Sequence, residues 1–176
     1  MKIVHTAADQ NRRALVTRLL DDEFAAIHPL WVERHLSILT SLRQMFGNDL
    51  DKPIILAVIG QFMFENGDYE SKRYADQRDT DRSLRSDRLT NVESVATSAG
   101  LPRESVRRKV GELIDVGWIT RDEKGGLKIT PKATAALDGT TQEAFRLLAD
   151  MFVEIMAALE AKDLARFVPT SGSAPE

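Results

Sequence analysis

The chain has 176 residues, of which 43% are hydrophobic, and its formal net charge is −3 at pH 7. This length and apolar content suit one domain with helical extensions. The absence of cysteine excludes disulfides and thiolate metal sites, and no apolar stretch is long enough to span a bilayer. Because the N-terminus also lacks the pattern of a signal peptide, we expect a cytoplasmic protein without a membrane partner.

Two amphipathic stripes in the first fifty residues predict N-terminal helices. The first stripe ends at Ile27, and Pro29 is expected to break the chain there. The second stripe runs from Val32 to Phe46, and Gly47 should end its helix. Since both stripes need an apolar partner, we interpret residues 1–50 as dimerisation helices.

A third helix should begin at Asp51, which caps it, and reach Phe64 with enough apolar residues to be central in a core. The polar insertion that follows, residues 66–88, carries six basic and six acidic residues, which is typical of a long surface loop. Arg82, Arg85 and Arg88 recur at every third position. The insertion could therefore follow a DNA backbone, and the alternative is a solvated loop.

The segment from Leu89 to Pro131 has the order helix, tight turn, second helix and short hairpin. This order predicts a winged helix-turn-helix. Apolar residues from Val92 to Ala99 recur at three- and four-residue steps, so they form the buried stripe of a short helix. Gly100 should end that helix in a left-handed conformation, and Pro102 suits the first turn of the next one.

The second helix of this unit carries its positive charges in its N-terminal half, the half that leads into the major groove in a recognition helix. Arg103 and Arg107 are the main candidate readers of base edges, because arginine forms a forked pair with O6 and N7 of guanine. Glu104 and Ser105 are weaker candidates, and Arg108 is also expected at the DNA. Residues 90–132 have a net charge of +2 and residues 133–176 one of −4, so the basic surface coincides with this unit.

The hairpin is the predicted wing. Two short strands, at 118–121 and 127–130, enclose a turn in which Gly125 and Gly126 are expected at positive backbone angles. Side chains of this turn and strand could contact phosphate or the minor groove beside the helix. The candidate DNA contacts of the hairpin are Lys124 and Lys128.

Thr140 and Glu143 have the spacing of a capping box, and an apolar stripe follows them over several turns. Residues 139–168 are therefore interpreted as a C-terminal dimerisation helix, and residues 169–176 as a disordered tail. A two-fold dimer built from both ends of the chain would present two reading helices to a palindromic site, in grooves about 34 Å apart.

The segment from Gly100 to Leu137 resembles bacterial winged-helix transcriptional regulators, most closely those of the MarR type. The GntR and IclR groups share the spacing of the recognition helix, so that helix alone does not choose between families. The resemblance implies a homodimer on double-stranded DNA and a small-molecule effector bound between the dimerisation helices and the DNA-binding domain, with Trp31, Phe46 and Phe62 as candidate lining residues. The matching residues are Leu113, Gly117, Thr130, Pro131 and Lys132.

The usual signals of an enzyme are missing: there is no phosphate-binding glycine loop, nucleophile elbow or zinc-helix pattern. We therefore predict no catalytic residue, cofactor or metal, and interpret His28 and His35 as structural. The alternative to an operator-binding protein is a winged-helix module that binds another protein or acts in replication, without operator specificity.

The predicted fold is mainly α with a small β-hairpin wing: a winged helix-turn-helix domain at residues 51–138, flanked by N- and C-terminal dimerisation helices. The predicted function is that of a sequence-specific transcriptional regulator that binds a palindromic operator as a homodimer and responds to a ligand.

Overall fold

A computed structural model describes residues 6–66 and 89–162, which are mainly helical with one small antiparallel hairpin. No helix in these two ranges combines the length and the apolar character needed to cross a membrane. The predicted class is therefore correct in its helical content and its hairpin. The elements are α1 (Ala7–Asp22), α2 (Phe24–Met45), α3 (Asp51–Asn66), α4 (Val92–Ala99), α5 (Arg103–Asp115), β1 (Ile119–Arg121), β2 (Leu127–Ile129), α6 (Pro131–Ala136) and α7 (Asp138–Ala161).

The chain divides into two compact units. The central unit is Thr40–Thr141, and the terminal unit combines the residues up to Leu39 with those from Gln142 onward. Both boundaries fall inside long helices, α2 and α7, so each of these helices contributes to both units.

The core of the central unit is built on α3, whose Ile55, Leu56 and Ile59 are at most 2% exposed. This helix contacts α4, α5 and β2. Gly60 allows the close approach to the hairpin, because a Cβ at that position would lie 3.3 Å from Ile129 Cδ1. The prediction that the third helix is central is confirmed.

The pair α4 and α5 forms as its sequence predicts. Asn91 is the N-cap of α4, and its side-chain Oδ1 accepts a hydrogen bond from the Ser94 N–H at 3.0 Å. Gly100 ends α4 with a φ of 65°, a left-handed conformation that strains a residue with a Cβ. The Leu101 N–H then donates to the Ala96 carbonyl at 3.1 Å, and α5 begins two residues later.

In the hairpin, β1 and β2 pair antiparallel with Ile119 opposite Ile129. The pairing extends to the residues ahead of α4, since the Leu127 N–H donates to the Thr90 carbonyl at 2.8 Å. This isolated bridge ties the hairpin to the start of the helix pair.

The two glycines of the hairpin turn have different roles. Gly125 has a φ of 85°, as predicted, whereas the predicted positive angle at Gly126 is wrong. Gly126 is needed for space: a Cβ there would lie 2.8 Å from Leu89 Cβ and 2.7 Å from Asp122 Oδ2. Its N–H donates to Asp122 Oδ1 at 2.6 Å, which closes the turn.

The predicted break at Pro29 is wrong. The boundary between the first two helices lies at Glu23, and Pro29 is the sixth residue of α2. A proline this near the start of a helix removes a single backbone hydrogen bond, the one its N–H would donate to the Ala25 carbonyl. The loss of one hydrogen bond does not end the helix, which continues past the proline to Met45.

The predicted capping box at Thr140 and Glu143 is also wrong. Helix α7 begins at Asp138, so Thr140 lies buried within its first turn. Only Leu137 separates α6 from α7, which leaves no extended residue at position 140 to act as a cap. One long C-terminal helix is confirmed as far as Ala161; its expected end near residue 168 and the tail at 169–176 lie outside the described residues.

In the terminal unit, α2 and α7 run antiparallel, as two ion pairs show. Arg34 Nη2 on α2 lies 3.1 Å from Asp150 Oδ2 on α7, and Lys162 Nζ, directly after α7, lies 3.1 Å from Glu23 Oε1, directly before α2. The start of α2 is therefore near the end of α7.

Both helices leave large apolar side chains exposed, among them Val32 and Leu39 on α2 and Phe145 and Phe152 on α7. At about 100° per residue, the α2 side chains lie roughly 60–200° round from Arg34, and the α7 side chains roughly 160–220° round from Asp150. On α7 these side chains therefore turn away from the Arg34–Asp150 contact. We call the exposed apolar surface of the two helices the terminal apolar face; its residues are Phe24, Trp31, Val32, Leu36, Leu39, Phe145, Leu148 and Phe152.

Rings stack along the α2 part of the terminal apolar face. The centroids of Phe24 and His28 are 4.4 Å apart, those of His28 and Trp31 are 6.1 Å apart, and those of Trp31 and His35 are 4.4 Å apart. His35 Nδ1 also lies 3.0 Å from the Trp31 carbonyl oxygen. The two histidines therefore extend an aromatic row on one side of α2.

Candidate nucleic-acid interface

Helix α5 presents two faces of opposite character. One face packs into the core of the central unit through Val106, Val110 and Leu113, each at most 2% exposed. The other carries arginine side chains that are 60–72% exposed. These are Arg103, Arg107 and Arg108.

Lys109 anchors the inner side of α5. Its side chain is only 8% exposed, and its Nζ forms a hydrogen bond to Asp49 and lies 3.1 Å from Asp51 Oδ2. Burial by itself lowers the pKa of Lys109, but the two carboxylates outweigh it and raise the pKa above its ordinary value. Burial likewise raises the pKa of Asp49, and the hydrogen bond and charge of Lys109 bring it below its ordinary value. The pair is therefore ionised at neutral pH and ties α5 to the start of α3.

Each exposed arginine of α5 is paired with a glutamate. Arg103 Nε lies 2.8 Å from Glu93 Oε2, a contact between α5 and α4. Arg107 donates twice to Glu104, from Nε at 2.9 Å and from Nη2 at 2.6 Å. The third pair joins Arg108 to Glu112. The outer face of α5 is therefore ordered and nearly neutral in the free protein.

Glu104 and Glu112 keep their charges at neutral pH. Hydrogen bonds from Arg107 hold the pKa of Glu104 below its ordinary value, and the same bonds raise the pKa of Arg107. Glu112 lies 2.8 Å from Lys52 Nζ, and the hydrogen bond from Lys52 lowers the pKa of Glu112. Lys52 thus connects the Arg108–Glu112 pair to the first turn of α3.

The other predicted contacts are less prominent. Ser105 is half-buried at the base of the arginine face, and Lys128 is half-buried in β2 opposite Thr120. Lys124 is exposed at the hairpin turn, and its backbone N–H donates to Asp122 Oδ1 at 2.9 Å. Because the Asp122 carboxylate holds the turn through its Oδ1, its role is structural as well as electrostatic.

The three aromatic residues expected to line an effector site do not share one environment. Trp31 belongs to the terminal unit, whereas Phe46 and Phe62 belong to the central unit. Phe46 is 6% exposed and packs edge-on against Trp118, with centroids 5.1 Å apart. Beside this pair a cleft of about 340 Å³ opens, lined by apolar side chains and by Lys52 with Glu112.

Part of the interface could not be found from sequence spacing alone. The Glu104–Arg107 and Arg108–Glu112 pairs have the three- and four-residue spacing of helical ion pairs, so the sequence contained that signal. The contact between Arg103 and Glu93 depends on how α4 crosses α5. The burial of Lys109 likewise depends on the turn before α3, which lies sixty residues earlier.

Two further expectations concern the arginines of the polar insertion and a metal site. Arg82, Arg85 and Arg88, expected along a DNA backbone, lie outside the described residues. Within 6–66 and 89–162, no group of three or more histidines and carboxylates is placed to hold a metal ion.

No protein-family model, curated protein sequence or solved structure matches the chain. The resemblance to MarR-type regulators therefore stays a prediction from residues 100–137. Inference about function rests on the arrangement of the chain's own residues.

Proposed function

We propose that this chain is a sequence-specific DNA-binding transcriptional regulator that acts as a homodimer on a palindromic operator. In this proposal the central unit is a winged helix-turn-helix domain: α5 is the recognition helix, and the β1–β2 hairpin is the wing. The bridge between Thr90 and Leu127 supports this arrangement, since it ties the hairpin to the helix pair beside which a wing must lie.

The observation that carries the proposal is the two-faced character of α5. Its inner side is fixed by core packing and by the buried Lys109, so its orientation is rigid. Its exposed side has three arginines in the first half of the helix, the half that reaches base edges in a recognition helix. A surface helix without a binding role needs no such concentration of guanidinium groups beside a buried anchor.

The glutamates paired with these arginines are compatible with DNA binding. Exposed ion pairs contribute little to stability, because water screens them and two long side chains must be ordered. Phosphates of DNA can therefore displace Glu93 from Arg103 and Glu112 from Arg108 at small cost. The near-neutral surface also disfavours tight binding to DNA of any sequence, so discrimination must come from base contacts.

The terminal apolar face supports the homodimer. Its eight side chains expose roughly 100 Å² each, which makes roughly 800 Å², about what each partner buries in a stable interface of standard size. A two-fold dimer buries the same patch on both subunits. We propose that a second copy of the chain covers it, which would place two recognition helices on one operator.

The proposal includes a small effector bound in the cleft beside Phe46. The volume of about 340 Å³ lies in the lower range of ligand sites, and its Lys52–Glu112 pair leads directly to Arg108. A compound bound there would act on the recognition helix through that pair. A thermal-shift screen of small compounds checks this part, and stabilisation should be lost in Val116→Trp, which enlarges an exposed side chain that lines the cleft.

The test of the whole proposal is selection of genomic DNA fragments by the purified protein at near-physiological salt, with unrelated DNA as competitor. A palindromic site with half-sites about one helical turn apart, or a multiple of it, is the expected result. Binding without sequence preference, by a folded protein, would instead favour the replication-associated module. No DNA binding at all would favour a module that binds another protein.

A further inference from the structure

The three arginine pairs of α5 differ in which atoms they use. Arg103 forms an ion pair with Glu93 through Nε, and Arg108 donates to Glu112 from Nη1. Arg107 is held by Glu104 through both Nε and Nη2, at 2.9 and 2.6 Å. Of the exposed arginines on α5, Arg107 therefore has the most completely fixed guanidinium plane.

Glu104 binds one side of the Arg107 guanidinium group. An end-on contact with a base pair uses the far end of the group instead. Two parallel bonds from Nε and Nη2 occupy the side of the guanidinium group. The far end presents one N–H of Nη1 and the outer N–H of Nη2, and neither takes part in the two bonds to Glu104. Two parallel donors at that end match the O6 and N7 acceptors of guanine in the major groove.

We propose that Glu104 is a positioning residue that holds Arg107 side-on, so that the free end of its guanidinium group reads a guanine. The inference rests on the proposed DNA-binding function and deepens it by naming the base and the residue that determines the preference. Glu104, whose side chain is 75% exposed, also repels phosphate and so directs Arg107 to the base edge. Its charge is secure at neutral pH, because the hydrogen bonds from Arg107 lower its pKa.

The decisive variant is Glu104→Gln, which keeps the size of the side chain and removes its charge. The probe is a pool of DNA duplexes with a randomised centre, followed by titration of the recovered site with each base pair changed in turn. We expect Arg107→Ala to lose about 5- to 150-fold of the preference for guanine at one position of each half-site. Glu104→Gln should lose on the order of 3- to 10-fold at the same position.

The matched control is Glu123→Gln, which removes the same charge from the exposed hairpin turn. We expect it to raise affinity for all duplexes alike and leave the guanine preference unchanged. If Glu104→Gln behaves as this control does, or if Arg107→Ala alters a position other than a guanine, the inference is wrong while the proposed function stands. A wild-type protein with no sequence preference would overturn both.

Discussion

The central and terminal units differ in how many of their hydrophobic residues they bury. The central unit contains thirteen of the seventeen buried hydrophobic residues in the described chain, gathered around α3, α4 and α5. The terminal unit contains only four, and it exposes nine large hydrophobic side chains. The contrast teaches that the central unit is complete as a folded core, whereas the terminal unit has apolar surface that a monomer leaves in water.

The difference also separates two kinds of surface. The exposed side of α5 in the central unit is charged and ordered by ion pairs. The exposed side of α2 and α7 in the terminal unit is apolar and aromatic. A charged surface is typical of a transient interface, and an apolar surface is typical of an obligate one.

The largest expected effect tests the terminal apolar face. Phe152→Glu should weaken self-association by about 1,000-fold, because a two-fold dimer carries the change twice and each copy loses about 2 kcal/mol. Sedimentation equilibrium measures the change. The control is Val153→Glu: both residues are 62% exposed, but Val153 lies about 100° round the helix, outside the face. Equal effects of the two substitutions would contradict the assigned face.

A smaller effect compares the two units in stability. Ile59→Ala removes a side chain with 0% exposure from the core of the central unit and should cost about 2–5 kcal/mol in the free energy of unfolding. Leu148→Ala, at a site 66% exposed, should change it by about 0.5 kcal/mol or less in protein dilute enough to be monomeric. Urea unfolding of both variants checks this, and similar losses would mean that the terminal unit buries Leu148 after all.

The buried ion pair of α5 should make the stability of the central unit depend on pH. Asp49→Asn leaves the buried Lys109 without its hydrogen-bonded carboxylate partner, and should cost about 1–3 kcal/mol at pH 7. Because the folded pKa of Asp49 lies below the ordinary 3.8, its contribution is present above about pH 4 and is lost as the pH falls through the folded pKa. The difference in unfolding free energy between wild type and Asp49→Asn should therefore shrink below pH 4.

Asp115→Asn is the control for that experiment, since Asp115 is exposed on the same helix. Its effect should stay within about 0.5 kcal/mol at every pH. A wild-type advantage over Asp49→Asn that persists unchanged at pH 2 would show that the carboxylate charge is not what stabilises the pair.

The smallest effect concerns the hairpin. Lys124→Ala should lower the slope of log affinity against log salt by about 1.8, because the dimer loses two phosphate contacts on duplex DNA and each is worth about 0.9. It should weaken binding to all sequences alike and leave the dimer intact, because Lys124 lies in the central unit. Titrations at several salt concentrations measure the slope. A change in base preference would contradict this assignment, because it would show that Lys124 contacts a base edge and not a phosphate.

Sequence patterns predicted the local structure of the central unit well. The stripe of α4, the left-handed Gly100 and the two strands of the hairpin all follow from residue types that act on their own neighbours. Predictions failed at Pro29, Gly126 and Thr140. A proline near the start of a helix removes only one backbone hydrogen bond, and a glycine is required when another side chain occupies the space of its Cβ.

The candidate site divides in the same way. The sequence by itself determined the exposed arginines of α5 and their two helical ion pairs, because residues three or four apart on a helix are always neighbours. Only the tertiary structure decided that Lys109 is buried beside Asp49, that Glu93 reaches Arg103, and that Arg34 of α2 meets Asp150 of α7. Those contacts join residues far apart in the chain, and no local periodicity records the distance or angle at which two helices meet.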